Sequence, residues 1–102
     1  MTNPLTKGLR PVHPGEILRE DVLPAVGRPK TEIARLLGIS RQTLYDILNE
    51  KQPVSPVMAL RLAKMFGGTG ESWLNLQRNY DLKMAERELG DALAAIPRLE
   101  AA

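Results

Sequence analysis

The sequence predicts an all-α domain of five helices built around a helix-turn-helix, and three observations carry that prediction. Apolar residues recur at helical spacing along most of the 102-residue chain. No run alternates apolar and polar residues as a half-buried strand would. Lys30 to Asn49, reading KTEIARLLGISRQTLYDILN, orders small, apolar and polar side chains as two short helices across a tight turn require.

A chain of this length fits one domain able to bury a core without metals or disulfides. We divide it into an N-terminal arm (1–12), a helical domain (13–90) and an acidic tail (91–102). The arm holds Pro4, Gly8 and Pro11 and reads as irregular. In HPGEILREDVL, Pro14 suits a first helical position and Glu16 the first turn, while Ile17, Leu18, Val22 and Leu23 form an apolar stripe. A helix is expected over about 14 to 23, closed by Pro24 and the Gly27-Arg28-Pro29 cluster. His13, before Pro14, is expected to start that helix.

In the central segment Ile33, Leu37, Ile39, Leu44 and Ile47 are the apolar positions. Ala34 is small where two helices approach, and Gly38 supplies the positive φ that ends the first of them. Ser40 is placed to cap the second. Ser55 and Pro56 then start a fourth helix whose apolar face is Met58, Leu60, Leu62, Ala63 and Phe66, stopped by Gly67 and Gly68. Thr69 opens a long last helix bearing Trp73, Leu74, Leu76, Tyr80, Leu82, Met84 and Leu89, which Gly90 kinks or ends and beyond which Pro97 acts as a stop. Trp73 and Tyr80, with Leu76 between them, are expected to fill a core or a dimer seam rather than line a ligand pocket.

Composition narrows function further. Cysteine is absent and histidine occurs once, which excludes a disulfide framework, a thiolate metal site and a histidine-pair metal site. No nucleophile or acid/base pair with an orienting partner stands out, Glu16, Glu20 and Asp21 reading as exposed carboxylates with nothing to tune them, so neither catalysis nor a cofactor is expected. No long apolar run or secretory signal is visible, and a cytoplasmic location is expected. The net charge of +2 hides an asymmetry: residues 28–52 hold five basic and three acidic side chains, whereas 79–102 hold three and five. The basic middle suits a phosphate backbone.

With Ser40 as cap, Arg41, Gln42, Thr43, Tyr45, Asp46 and Asn49 face outward and Leu44, Ile47 and Leu48 inward. Arg pairs with guanine, Gln with adenine, Thr with the thymine methyl, and Asp accepts from cytosine. Arg41, Gln42, Thr43, Tyr45 and Asp46 are therefore the expected base readers. Arg28, Lys30, Thr31, Ser40, Asn49 and Lys51 are the expected phosphate contacts, with Gln52 as a further candidate.

HPGEIL, LLGISRQTLYDILN, SPVMALRLAKMFG and WLNLQRNYDL stand in this order over about residues 12 to 85, and together they resemble the HigA/VapI-type antitoxins of the XRE helix-turn-helix class. The resemblance implies a five-helix lambda-repressor-like domain that forms a homodimer, binds a palindromic operator in double-stranded DNA, and neutralises a RelE/HigB-like toxin that cleaves mRNA. It also implies that Ser40 through Asn49 is the recognition helix. Two positions depart from the family pattern. Pro29 stands where a capping Ser is usual, and Glu50 stands where a Gly is usual, which is costly if the backbone there is left-handed and puts a negative charge near phosphate. Two other functions compete with the antitoxin-repressor: a stand-alone phage-type repressor, and a toxin-docking module with weak DNA binding.

Overall fold

The computed structural model describes residues 10–100, so positions 1–9 of the expected arm and the last two of the tail lie outside the described residues. The chain runs through α1 (Pro14–Ile17), a π-helical turn (Leu18–Val22) and α2 (Leu23–Val26). It continues through α3 (Lys30–Leu37), α4 (Arg41–Leu48), α5 (Pro56–Phe66), α6 (Gly70–Leu89) and the single turn α7 (Asp91–Ala94). Among the described residues there is no strand.

The first three pieces form one unbroken helical segment, which makes the expected first helix longer than the sequence suggested. Pro24 does not close it. A proline lacks an N–H and its ring crowds the carbonyl four residues back. Here the turn before it is widened, the Leu23 N–H bonding the Leu18 carbonyl five residues back. The helix passes the proline and stops at Gly27, where φ is 71°.

The core gathers one face of every main helix: Leu18 and Leu23, then Ile33, Ala34 and Leu37, then Leu44, Ile47 and Leu48, and finally Met58, Ala59, Leu62 and Trp73, with Val54 from the connecting loop. Burial of these side chains is the dominant stabilisation and overrides the weak intrinsic preference of eight-residue helices to form. Caps define the ends. His13, Ser40, Ser55 and Thr69 each accept a first-turn backbone N–H, and Thr69 with Ser72 forms a reciprocal capping box.

Three expectations about the apolar faces are corrected. Leu60 is 65% exposed, on the outer side of α5, and Leu82 and Leu89 stand out from α6 at 56% and 47%. Helical spacing marks a stripe but not its width, and α6 extends past the body it packs on. Glu16 and Glu20 are also not isolated carboxylates. Glu16 pairs with Arg10, whose hydrogen bond holds its carboxyl below the usual range, and Glu20 pairs with Arg19.

Candidate nucleic-acid interface

Helix α4 is held by contacts at both ends and along its inner face. At its start the turn from α3 is fixed by Gly38, with φ of 77°, and by the Ile39 N–H bonding the Ala34 carbonyl at 3.0 Å. Arg61 of α5 donates to the Leu37 carbonyl at 2.6 Å, placing a cation on the C-terminal end of α3. The positive φ is what calls for glycine at position 38, and a side chain there would also displace the tip of Arg61, 2.6 Å away.

Ser40 accepts the Thr43 N–H at 3.0 Å and lies 2.8 Å from the Thr43 hydroxyl. Leu44, Ile47 and Leu48 are buried. Arg41, Gln42, Tyr45 and Asn49 are exposed and Thr43 and Asp46 half-buried, so all five expected base readers lie on the outer surface of one eight-residue helix. Gln42 donates from Nε2 to Asp46 Oδ1 at 2.8 Å.

Of the expected phosphate contacts, Arg28, Lys30, Thr31, Ser40, Asn49 and Lys51 are all exposed. They flank the start of α3 and both ends of α4. Arg28 is engaged by Glu32 at 2.6 Å. Pro29 stands at the head of α3 with φ of −58° and offers no side-chain cap. Its carbonyl takes the Glu32 and Ile33 N–H groups, leaving the preceding N–H groups of that first turn to solvent.

The far end of α4 holds what the sequence reading missed. Arg19, from the π-helical turn, donates to the Leu48 carbonyl and sits 3.4 Å from the Glu50 carboxylate. Glu50 has φ of 62°, the one positive φ outside glycine among the described residues. Its charge therefore faces a guanidinium of its own chain rather than standing free beside the helix. Gly15 lies so close beneath α4 that a Cβ there would come within 1.8 Å of the Ile47 carbonyl. His13 is 2% exposed, accepts the Gly15 N–H on Nδ1 at 2.9 Å, and meets the Tyr80 ring edge-on at 4.9 Å. Burial pushes its imidazole below the ordinary value, against the opposing pull of Glu50 and Asp81. Buried Gln77 of α6 accepts the Val54 N–H at 2.8 Å and so ties down the loop that leaves α4. An arginine two turns into a helix and a lone glycine carry no signal of partners thirty residues away. The only trace in the sequence is that Gly15 sits where a helix former would be better.

Trp73, Leu76 and Tyr80 face the body of the protein. Trp73 is buried with its indole N–H on the Gly67 carbonyl at 3.1 Å, Leu76 packs on the core, and Tyr80 leans on His13. Trp73 thus belongs to the core cluster and Leu76 packs against it, while Tyr80 is half-buried at its edge. Beside them Leu74, Leu82 and Ala85 of α6, with Arg78 and Asp81, line an open and mainly apolar groove against Pro53 and Val54. Among the described residues no helix is long and apolar enough to cross a membrane.

The profile of the helix-turn-helix family matches residues 18–74. Virulence-associated protein I of Dichelobacter nodosus is 41% identical over 95% of this chain and 91% of its own length. Among solved structures, antitoxin GraA in complex with its operator superposes with a TM-score of 0.83 at 43% identity, covering 99% of both chains. Pseudomonas aeruginosa antitoxin HigA, solved with the higBA promoter, gives 0.83 at 37% identity over 89% of this chain and all of its own.

Proposed function

The chain belongs to the XRE-type helix-turn-helix family, among relatives named as HigA antitoxins, and from that premise we propose that it is an autorepressing antitoxin. It binds a palindromic operator in the promoter of its own operon as a homodimer, and it neutralises a co-encoded RelE/HigB-like toxin that cleaves mRNA. Its place of action is the cytoplasm.

The single observation that carries the DNA part is the outer face of α4. It offers five side chains able to pair with base edges, on a scaffold 43% identical to an antitoxin solved on its operator. In this reading Arg41, Gln42, Thr43, Tyr45 and Asp46 enter the major groove, the start of the helix deepest. Lys30, Thr31, Ser40, Asn49 and Lys51 hold phosphates, and Arg28 joins them by exchanging Glu32 for a phosphate oxygen. Two-fold symmetry then sets the recognition helices about 34 Å apart in successive major grooves. The groove beside Pro53, with Leu74, Leu82 and Ala85, is the face offered to the second copy.

Glu50 favours this over a docking module with weak DNA binding, since Arg19 partly balances its charge. A titration of the protein against the duplex upstream of its own gene tests the DNA part. Salt-dependent binding stronger than to scrambled duplex is the expected result. Co-expression with the neighbouring reading frame tests the antitoxin part: growth arrest by that frame alone, relieved by this protein, is expected. A stand-alone repressor would have no such neighbour.

A further inference from the structure

We infer that Asp46 is a positioning residue, not a reader of cytosine, and that its contact with Gln42 makes Gln42 select adenine over guanine. The inference rests on the reading of α4 as the helix that enters the major groove. Gln42 and Asp46 are one turn apart on the outer face of α4, and the Gln42 Nε2 donates to Asp46 Oδ1 at 2.8 Å.

A carboxylate has only acceptors, so it can face the amide nitrogen of a glutamine and not its oxygen. That settles which way round the Gln42 amide stands. One N–H is taken by Asp46, while Oε1 and the second N–H remain available. Together these match the adenine edge, where the N6 amino group donates and N7 accepts. Guanine presents two acceptors, O6 and N7, at the same edge. A freely turning glutamine can offer its two N–H groups to guanine, but one already bound by Asp46 cannot do so without giving up a charge-assisted hydrogen bond. The carboxylate also repels the O6 acceptor of a misplaced guanine, where adenine has an amino donor, so the preference has both an attractive and a repulsive part.

The rest of the helix leaves Asp46 free for this role. Its backbone carbonyl accepts the Lys51 N–H at 2.8 Å, and its side chain is not otherwise engaged among the described residues. A pair at this spacing also supports an isolated helix slightly. That effect would change folding stability alone and leave base preference untouched, which separates the two roles.

The test is selection from a pool of duplexes with a randomised centre, read by sequencing, for the wild-type chain, Gln42→Ala, Asp46→Asn, Asp46→Ala and the double variant Gln42→Ala/Asp46→Asn. Each is then titrated against the selected duplex and its single-pair substitutions at fixed salt. A carboxamide in place of the Asp46 carboxylate can face Gln42 with either its oxygen or its nitrogen, so Asp46→Asn keeps the size and removes the orientation. Asp46→Asn and Asp46→Ala are expected to lower adenine-over-guanine discrimination roughly fivefold or more at the base pair that Gln42→Ala affects, with the double variant no worse than Gln42→Ala. Any general rise in affinity from losing a negative charge cancels in that ratio. Loss of preference at a different pair, toward or away from cytosine, would overturn the inference while leaving the base-reading assignment standing. If Gln42→Ala alters no preference at any position, Gln42 is not a base reader and the inference fails; the reading of α4 itself fails only if Arg41→Ala is equally silent.

Discussion

At Glu50 the backbone has φ of 62°, a conformation that costs a side chain with a Cβ about 1 kcal/mol and a glycine almost nothing. Glycine is usual here in the family pattern, and only the fold shows the carboxylate turning back onto Arg19. The ion pair is partly exposed and therefore worth about 0–1 kcal/mol, too little to offset the strain with any margin. Glu50→Gly is accordingly expected to leave stability unchanged or raise it by up to about 1 kcal/mol in urea titrations. The same variant removes a negative charge beside α4, so affinity for any duplex is expected to rise with no change in sequence preference. Arg41 and Lys51 separate the other way. Arg41→Ala is expected to cost roughly 1–3 kcal/mol on the operator and to relax preference at one position per half-site. Lys51→Ala should weaken all sequences alike and lower the slope of log K against log salt by about 1. Titrations at several salt concentrations tell the two apart, and an unchanged affinity in Arg41→Ala would remove it from the base readers.

At the scale of elements, the contact between the first helical segment and α4 decides how α4 is held. Gly15 admits the Ile47 carbonyl, His13 caps the segment, and Arg19 closes the far end on the Leu48 carbonyl. Gly15→Ala puts a methyl group within 1.8 Å of that carbonyl, so the two elements must separate. The expected loss is about 1–3 kcal/mol despite alanine being the better helix former, measured by thermal or urea unfolding. His13 adds a pH dependence. Burial lowers its folded pKa below the unfolded value of about 6.5, so the unfolded chain binds more protons and stability falls as pH drops through 6.5 toward the folded value. Above about 6.5 this contribution is fully present. His13→Ala is expected to cost about 1 kcal/mol from the cap alone and to flatten the difference in stability between about pH 5 and pH 7.5. An unaltered pH profile in that variant would show that another group is responsible.

At the scale of the whole molecule, α6 outruns the body it packs on, and every described residue from 85 onward is exposed. Its inner face, through Trp73 and Gln77, belongs to the core, whereas Leu82 on its outer face is 56% exposed. Leu82→Glu is expected to leave the unfolding free energy of the monomer within about 0.5 kcal/mol of the parent, because little is buried there. The same change should shift the protein toward monomer in sedimentation and weaken the operator complex, since each half-site would then be bound separately. A dimer that persists in Leu82→Glu would place the seam elsewhere.

Spacing and chain punctuation alone determined the all-helical class, the caps at Ser40, Ser55 and Thr69, and the division of α4 into an inner and an outer face; the odd standing of Glu50 came from the family resemblance. Each of these depends on interactions within a few residues, which a linear pattern records. The tertiary structure decided the rest. It carried the first helix past Pro24, exposed Leu60 and Leu82, turned Trp73 into the core with Tyr80 against His13, and brought Gly15, Arg19 and Arg61 to the ends of α3 and α4. These outcomes depend on which faces meet and how closely, and partners separated by twenty or thirty residues leave no periodic trace in a single sequence.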